Sequence, residues 1–356
     1  MITYYQPLSR SFFQSKPDTI ALGVKRYYYG SFEDGLWDLL QNKEVPVNAV
    51  ILIPSFYCMD VAENMRSHGY IPTFYDLDKH FQVSAKNLLR SISRHKPAVV
   101  VLFHACGISL RILQNKQVVQ SIAKKALVIE DGVHRLIKPS TVRLLHDNHF
   151  LMDSLRKVSP LPGSFLYGTT RGLSYQQTSR VVGCYSFMGW FLYLLFRLTF
   201  EIGHHFRSAT TLSFAHERIL KAHDNLIGNH ILGHKGLPLV SSLQKYVHFS
   251  SIEQKKHRQV LLYEKELYAT TLRDSIYRIS IQQSDYKKLH VFPVGLIRAS
   301  TKLLKQLQKI GVVAWYKFDD CPWSKKRNVL FLPLGFHVKN EDIIASAKVI
   351  RHFVNS

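Results

Sequence analysis

Residues 127–136 read LVIEDGVHRL. An apolar run passes directly into Glu130 and Asp131, and His134 follows three positions after the aspartate. A strand that ends in a carboxylate poses a charge problem, because a buried carboxylate is costly unless it is paired. A positive side chain or a positive ligand has to answer Asp131. The flanking sequence decides the fold around it. Upstream, AVILIP (49–54) reads as a strand, MDVAENMRSHG (59–69) as a helix closed by Gly69, and YIPTFYDLD (70–78) as a strand. SAKNLLRSISRH (84–95) carries Leu88, Leu89 and Ile92 at helical spacing, AVVVLFH (98–104) reads as a buried strand, and ILQNKQVVQSIAKK (112–125) as a helix. Strand and helix alternating at this rhythm predict a parallel sheet sandwiched by helices, an α/β fold. Ligands of such sheets sit beyond the carboxyl ends of the strands. Asp131, His104 and the Pro54–Ser55 turn all fall on that edge.

The second half reads differently. Residues 241–272 are predicted as one long helix, LHVFPVGLIRA and NVLFLPLGF as strands, and NEDIIASAKVIRHFVNS as a last helix capped by Asn340. This predicts a large domain over 1–249 and a smaller α+β domain over 250–356, with no internal repeat.

Composition narrows the function classes. With 46% hydrophobic and 20% charged residues in 356, the chain is not of disordered type. A net charge of +22 favours anionic partners, yet the cations are scattered apart from KKHR (255–258) and SKKR (324–327), and no nucleic-acid signature is present. Nucleic acid is therefore not expected as a partner. Cys58, Cys106, Cys184 and Cys321 lie far apart without metal spacing, which suggests a reducing compartment. The N-terminus MITYYQPLSRSFF lacks a basic segment followed by an apolar one, so no secretory signal is expected and a cytoplasmic location is. The uncharged stretch VVGCYSFMGWFLYLLF (181–196) is too short to span a bilayer. It reads either as a buried or subunit-interface helix, or as part of a segment, 181–203, lying peripherally on a membrane.

Downstream of Asp131, MDSLRKVSPLPGSFLYG (152–168) sets Lys157 between an apolar segment and a Pro-rich turn. A lone lysine is ordinarily a solvated cation. An amine whose proton is displaced by burial or nearby charge becomes a nucleophile, and Schiff-base formation with an aldehyde is its characteristic reaction. Pyridoxal phosphate (PLP) has an aldehyde for the lysine and a ring nitrogen for the carboxylate.

The ordered set of segments resembles the fold-type I PLP-dependent aminotransferases, and among them the DegT/DnrJ/EryC1/StrS group that aminates keto-sugars on nucleotide carriers. YYYGSFEDGLWDLL (27–40) resembles the turn and helix start that receive the cofactor phosphate, and VILIPSFYCMDVAENMRSHGYIPTFYDLD (50–78) the run that follows it. VVVLFHACG (99–107), VIEDGVHRL (128–136), SLRKVSPLPG (154–163) and LFLPLGFHVKNEDI (330–343) resemble later motifs in the family's order. The resemblance implies that Lys157 forms the Schiff base and moves the proton, that Asp131 holds the ring nitrogen, and that His134 approaches the ring oxygen. It implies Gly30, Ser31 and Ser154 at the phosphate, and Phe56, Tyr57 or His104 as covers of the ring face. The implied partners are a nucleotide-linked keto-sugar, an amino-acid donor and a second copy of the chain in a homodimer. Several positions depart from the family pattern: Met152 stands where a serine is usual, Cys58 where a stacking aromatic is usual, and Pro162-Gly163-Ser164 replaces a glycine pair. The family's asparagine segment has only a loose counterpart in IGNHILGHKG (227–236). These departures also suit a non-catalytic descendant of the fold that acts as a binding or scaffold protein.

Overall fold

The computed structural model describes residues 6–8, 12–177, 184–206, 208–226, 236, 238–268, 276–298, 300–316 and 320–355. The first half runs β1 (Val24–Tyr29), α1 (Phe32–Asn42), β2 (Val50–Pro54), α2 (Met59–Ser67), β3 (Ile71–Tyr75), α3 (Ala85–His95), β4 (Val99–Phe103), α4 (Lys116–Ala123), β5 (Leu127–Asp131), β6 (His149–Met152), α5 (Leu155–Val158) and β7 (Ser164–Thr169). Its seven strands form one sheet in the order β1-β7-β6-β5-β4-β2-β3. From β6 to β3 all pairs are parallel, whereas β7 runs antiparallel to β6 and β1. The parallel strands are the near-continuous Val/Ile/Leu runs of the sequence, as expected where helices cover both faces.

Local chemistry sets the helix limits. Ser84 caps α3 by accepting from the Asn87 amide, and Leu88 is its buried contact. The helix predicted over 112–125 divides at Asn115: Arg111–Gln114 form a 3₁₀ turn, and the Asn115 side chain caps α4 by accepting from the Val118 amide. A residue that can cap competes with helix continuation.

The second half contains α6 (Cys184–His205), α7 (Ala209–Leu226), α8 (Pro238–Gln244), α9 (Phe249–Tyr268), β8 (Ile276–Tyr277), β9 (Val291–Leu296), α10 (Thr301–Lys309), β10 (Trp315–Tyr316), β11 (Asn328–Pro333) and α11 (Asn340–Asn355). A four-stranded antiparallel sheet, β10-β11-β9-β8, forms here. The single helix predicted over 241–272 is corrected to α8 and α9. Between them Val247 bridges to Phe13, and the His248 amide donates to Phe12 O at 2.7 Å. Pairing with the N-terminal segment wins over helix continuation.

The two sheets share one apolar core. Phe56, fully buried after β2, lies 4.7 Å from Phe81, 5.1 Å from Trp323 and 6.3 Å from Phe331, ring centre to ring centre. The apolar stretch read at 181–196 falls largely in α6, with 178–183 outside the described residues. One side of α6 packs Tyr193 and Phe200 with Leu212, Ala215 and Ile219 of α7. The other side is exposed at Met188, Phe191, Leu194, Leu195 and Leu198. Burial thus applies to one side only, and among the described residues no helix is long and apolar enough to cross a membrane.

Candidate active site

Asp131 ends β5, in register with Phe103 of β4 and Met152 of β6. Its carboxylate is 2% exposed and has two neutral donors: Tyr57 donates its hydroxyl to Oδ2 at 2.9 Å, and the Val133 amide donates to Oδ1 at 3.0 Å. Among the described residues no cation pairs with it. Burial pushes the Asp131 carboxyl up to about 7; the Val133 and Tyr57 hydrogen bonds pull the other way, and the charge of Glu33 adds to the rise. Burial, followed by the Asp131 charge, also raises the Tyr57 hydroxyl well above its usual value.

His134 sits beyond the turn that follows Asp131. Its Nδ1 faces the Cys106 amide at 3.4 Å, and its ring lies 5.0 Å from Phe103 and stacks on His290 at 5.3 Å. Gly107 permits this closeness: its φ is +95°, and a Cβ there would meet His134 O at 2.6 Å. Burial, then the positive charges of Lys157 and Arg156, hold His134 well below its usual value, so the ring is neutral at pH 7. His290 is held down by burial and by His134, Lys157 and Lys256, while a hydrogen bond to the Lys157 backbone acts the other way.

Lys157 lies in α5, a single turn placed between β6 and β7, and is half-buried. Its charge acts on His134, His290 and Glu33, and it is not among the groups that shift Asp131. Ser154 precedes the turn, buried, and makes no capping bond to it.

Gly30 and Ser31 lead into α1. Ser31 Oγ accepts from the Asp34 amide at 3.1 Å and donates to Asp34 Oδ2 at 2.8 Å, closing the helix start on itself. Glu33, in the same first turn, is buried. Burial raises its carboxyl, and its own backbone amide, Arg156 and Lys157 act to lower it.

The fold therefore bonds Tyr57 to Asp131, sets His134 beyond the turn that follows it, and brings the charges of Lys157 and Glu33 to bear on His134 and Asp131 respectively. It places two other candidates elsewhere. Phe56 is committed to the aromatic core, and His104 turns its Nε2 to Glu130 Oε1 at 2.7 Å. Because successive strand residues point to opposite faces, Glu130 and Asp131 lie on opposite sides of β5. The loose asparagine candidate, 227–236, lies outside the described residues except for Gly236. Sequence reasoning missed Glu33, Arg156 and His290. Arg156 adjoins Lys157 and Glu33 falls inside the quoted phosphate segment, so both were open to notice. His290 comes from the second half of the chain and has no motif around it.

The ring end of this group fits PLP: a buried carboxylate without a cation, a lysine and a neutral imidazole. At the start of α1, where the resemblance would put the phosphate, Ser31 is present, but a phosphate there would meet the carboxylates of Glu33 and Asp34.

No protein-family model matches the chain, and no curated protein matches it. Solved structures do. Spr1654 of Streptococcus pneumoniae, assigned as a sugar aminotransferase and solved in its PMP form, superposes with a TM-score of 0.61 at 12% identity, over 99% of this chain and 93% of that one. A DegT DnrJ EryC1 StrS aminotransferase from Brucella abortus gives 0.59 at 15% identity, over 94% and 87%. DesI, solved in the presence of its TDP-sugar product, gives 0.59 at 14%, over 92% and 80%. The chain has their fold.

Proposed function

We propose that this chain is a PLP-dependent aminotransferase acting on a sugar carried by a nucleotide, with an amino acid as donor. The observation that carries this reading is Asp131: a buried carboxylate at a sheet edge, bonded among the described residues by neutral donors alone. A pyridinium nitrogen is the cation it lacks. PLP supplies an electron-accepting ring and an aldehyde. In this reading Asp131 keeps the ring nitrogen protonated, and Lys157 holds the cofactor and carries the proton during transfer. His134, neutral and wedged between Phe103 and His290, bounds the ring side. Gly30, Ser31 and Ser154 take the phosphate, with Arg156 as an added cation. Tyr57 takes the ring-side position ahead of Phe56 and His104, since of the three its side chain is the one bonded to the Asp131 carboxylate, whereas His104 meets only the Asp131 carbonyl, through its backbone amide. The sugar-nucleotide substrate is supported by DesI and its TDP-sugar, and a homodimer by the family resemblance.

A second reading, a non-catalytic descendant, is favoured by the Tyr57 hydroxyl, which already occupies Asp131 Oδ2, and by Glu33 at the phosphate end. One experiment separates the two. Purified protein is mixed with PLP and desalted, and its visible spectrum is compared with that of Lys157→Ala. A retained band, fixed by borohydride in the wild type and missing in the variant, supports the enzyme. A colourless, folded wild type rejects it.

A further inference from the structure

On the face of the sheet opposite Asp131 lies a second cavity, of about 220 Å³, that the proposed reaction does not use. The loops after β4 and β5 wall it, and its lining includes His104, Glu130, Arg135, Lys138, Arg143 and Lys288.

Its floor is tied together by hydrogen bonds and ion-pair contacts. Glu130 lies 2.7 Å from His104 Nε2 and 3.3 Å from His149 Nε2. Burial alone would raise this carboxyl, but the two imidazoles overcome it and hold Glu130 well below the usual carboxylate range. Arg135 is buried, and its Nη1 donates to Asp285 Oδ1 at 2.8 Å and to Gly107 O at 2.5 Å. Asp285 in turn accepts from the Ser109 amide and hydroxyl at 2.9 and 2.8 Å. These contacts fix the loops, and Glu130 and Asp285 are both engaged by the floor itself.

The walls are different. Among the described residues, Lys138, Arg143 and Lys288 have no carboxylate at ion-pair distance. Lys288 is half-buried and its amine is pushed down, first by burial and then by Arg135. All three line one small cavity, so an anion seated in it would meet three cations at once, at a place where Lys288 already has Arg135 and Lys287 as like-charged neighbours against Glu253 and Asp285. Isolated surface lysines need no such partner. Convergence on a concave, partly closed space distinguishes these three.

We propose that this cavity is an anion site for a small phosphorylated ligand, with Lys138, Arg143 and Lys288 as its charge partners, separate from the Lys157 site. The volume admits a phosphate or diphosphate group with a small substituent. The proposal is independent of the aminotransferase reading.

The test is calorimetric titration of the whole chain with inorganic pyrophosphate at low salt. The variants are Arg143→Gln, at an exposed side chain, Lys138→Gln and Lys288→Gln. Lys157→Ala and the double variant Lys302→Gln/Lys305→Gln serve as controls, the latter removing charge from α10. Saturable one-to-one binding, weakened about tenfold by each cavity variant as expected for a lost charge-assisted contact and unchanged by both controls, supports the site. Absence of saturable binding overturns it. So does equal weakening by the α10 variant, which indicates diffuse charge, or loss in Lys157→Ala alone, which moves the anion to the other site.

Discussion

Tyr57 donates its hydroxyl to Asp131 Oδ2 at 2.9 Å, across the gap between the ends of β2 and β5. This bond satisfies one oxygen of a carboxylate without neutralising it, so Asp131 remains a buried acid in want of a cation. The consequence is visible in solution. A carboxyl at about 7 in the folded state and 3.8 in the unfolded chain binds more protons when folded between those values. Stability therefore falls as pH rises from about 4 to about 7. Asp131→Asn is expected to raise the melting temperature of the cofactor-free protein at pH 8, with little effect at pH 4.5. Thermal melts of both proteins across this range check it.

Lys256 works in the opposite direction. It is 1% exposed, its Nζ bonds only Leu289 O at 2.7 Å, and burial lowers its amine to about 7 from 10.5. The unfolded chain holds the extra proton between those values, so stability rises with pH through this window and the full penalty applies below about 7. Lys256→Met should stabilise the protein by roughly 2–4 kcal/mol at pH 6 and by much less at pH 10.5. Denaturant melts at the two pH values measure it.

Lys157 can be tested without any cofactor. Its charge contributes to the lowering of both His134 and His290. In Lys157→Ala the two imidazoles should titrate closer to 6.5, while burial keeps them below it. Side-chain NMR titration of the cofactor-free protein reads this directly; unchanged histidines in the variant would show that the amine is not beside them.

Glu33 predicts a gain. It is one of two buried carboxylates in the first turn of α1, with Asp34, and in the proposed reading it would oppose a phosphate there. Glu33→Gln is expected to tighten PLP binding by about tenfold, in line with removal of one like charge from a partly buried site. Spectral titration checks it, and weaker binding in the variant would mean that Glu33 supports the site.

The sequence by itself determined the alternation of strand and helix, and with it the sheet edge on which Asp131 stands. It also placed His134 and Lys157 near that edge, because strand ends and the turns after them are local features. Two helices were misread for an equally local reason: the periodicity at 112–125 and 241–272 is genuine, but a cap at Asn115 and the pairing of Val247 with Phe13 interrupt it. Only the tertiary structure decided what surrounds the carboxylate. Tyr57 meets Asp131 across 74 residues of sequence. His290 reaches His134 from the second half of the chain, and Phe56 and His104, both next to promising motifs, turn to the core and to Glu130 instead. Periodicity fixes which way a side chain faces along its own element. The partner it meets there depends on which elements the fold packs together, and no local pattern records that.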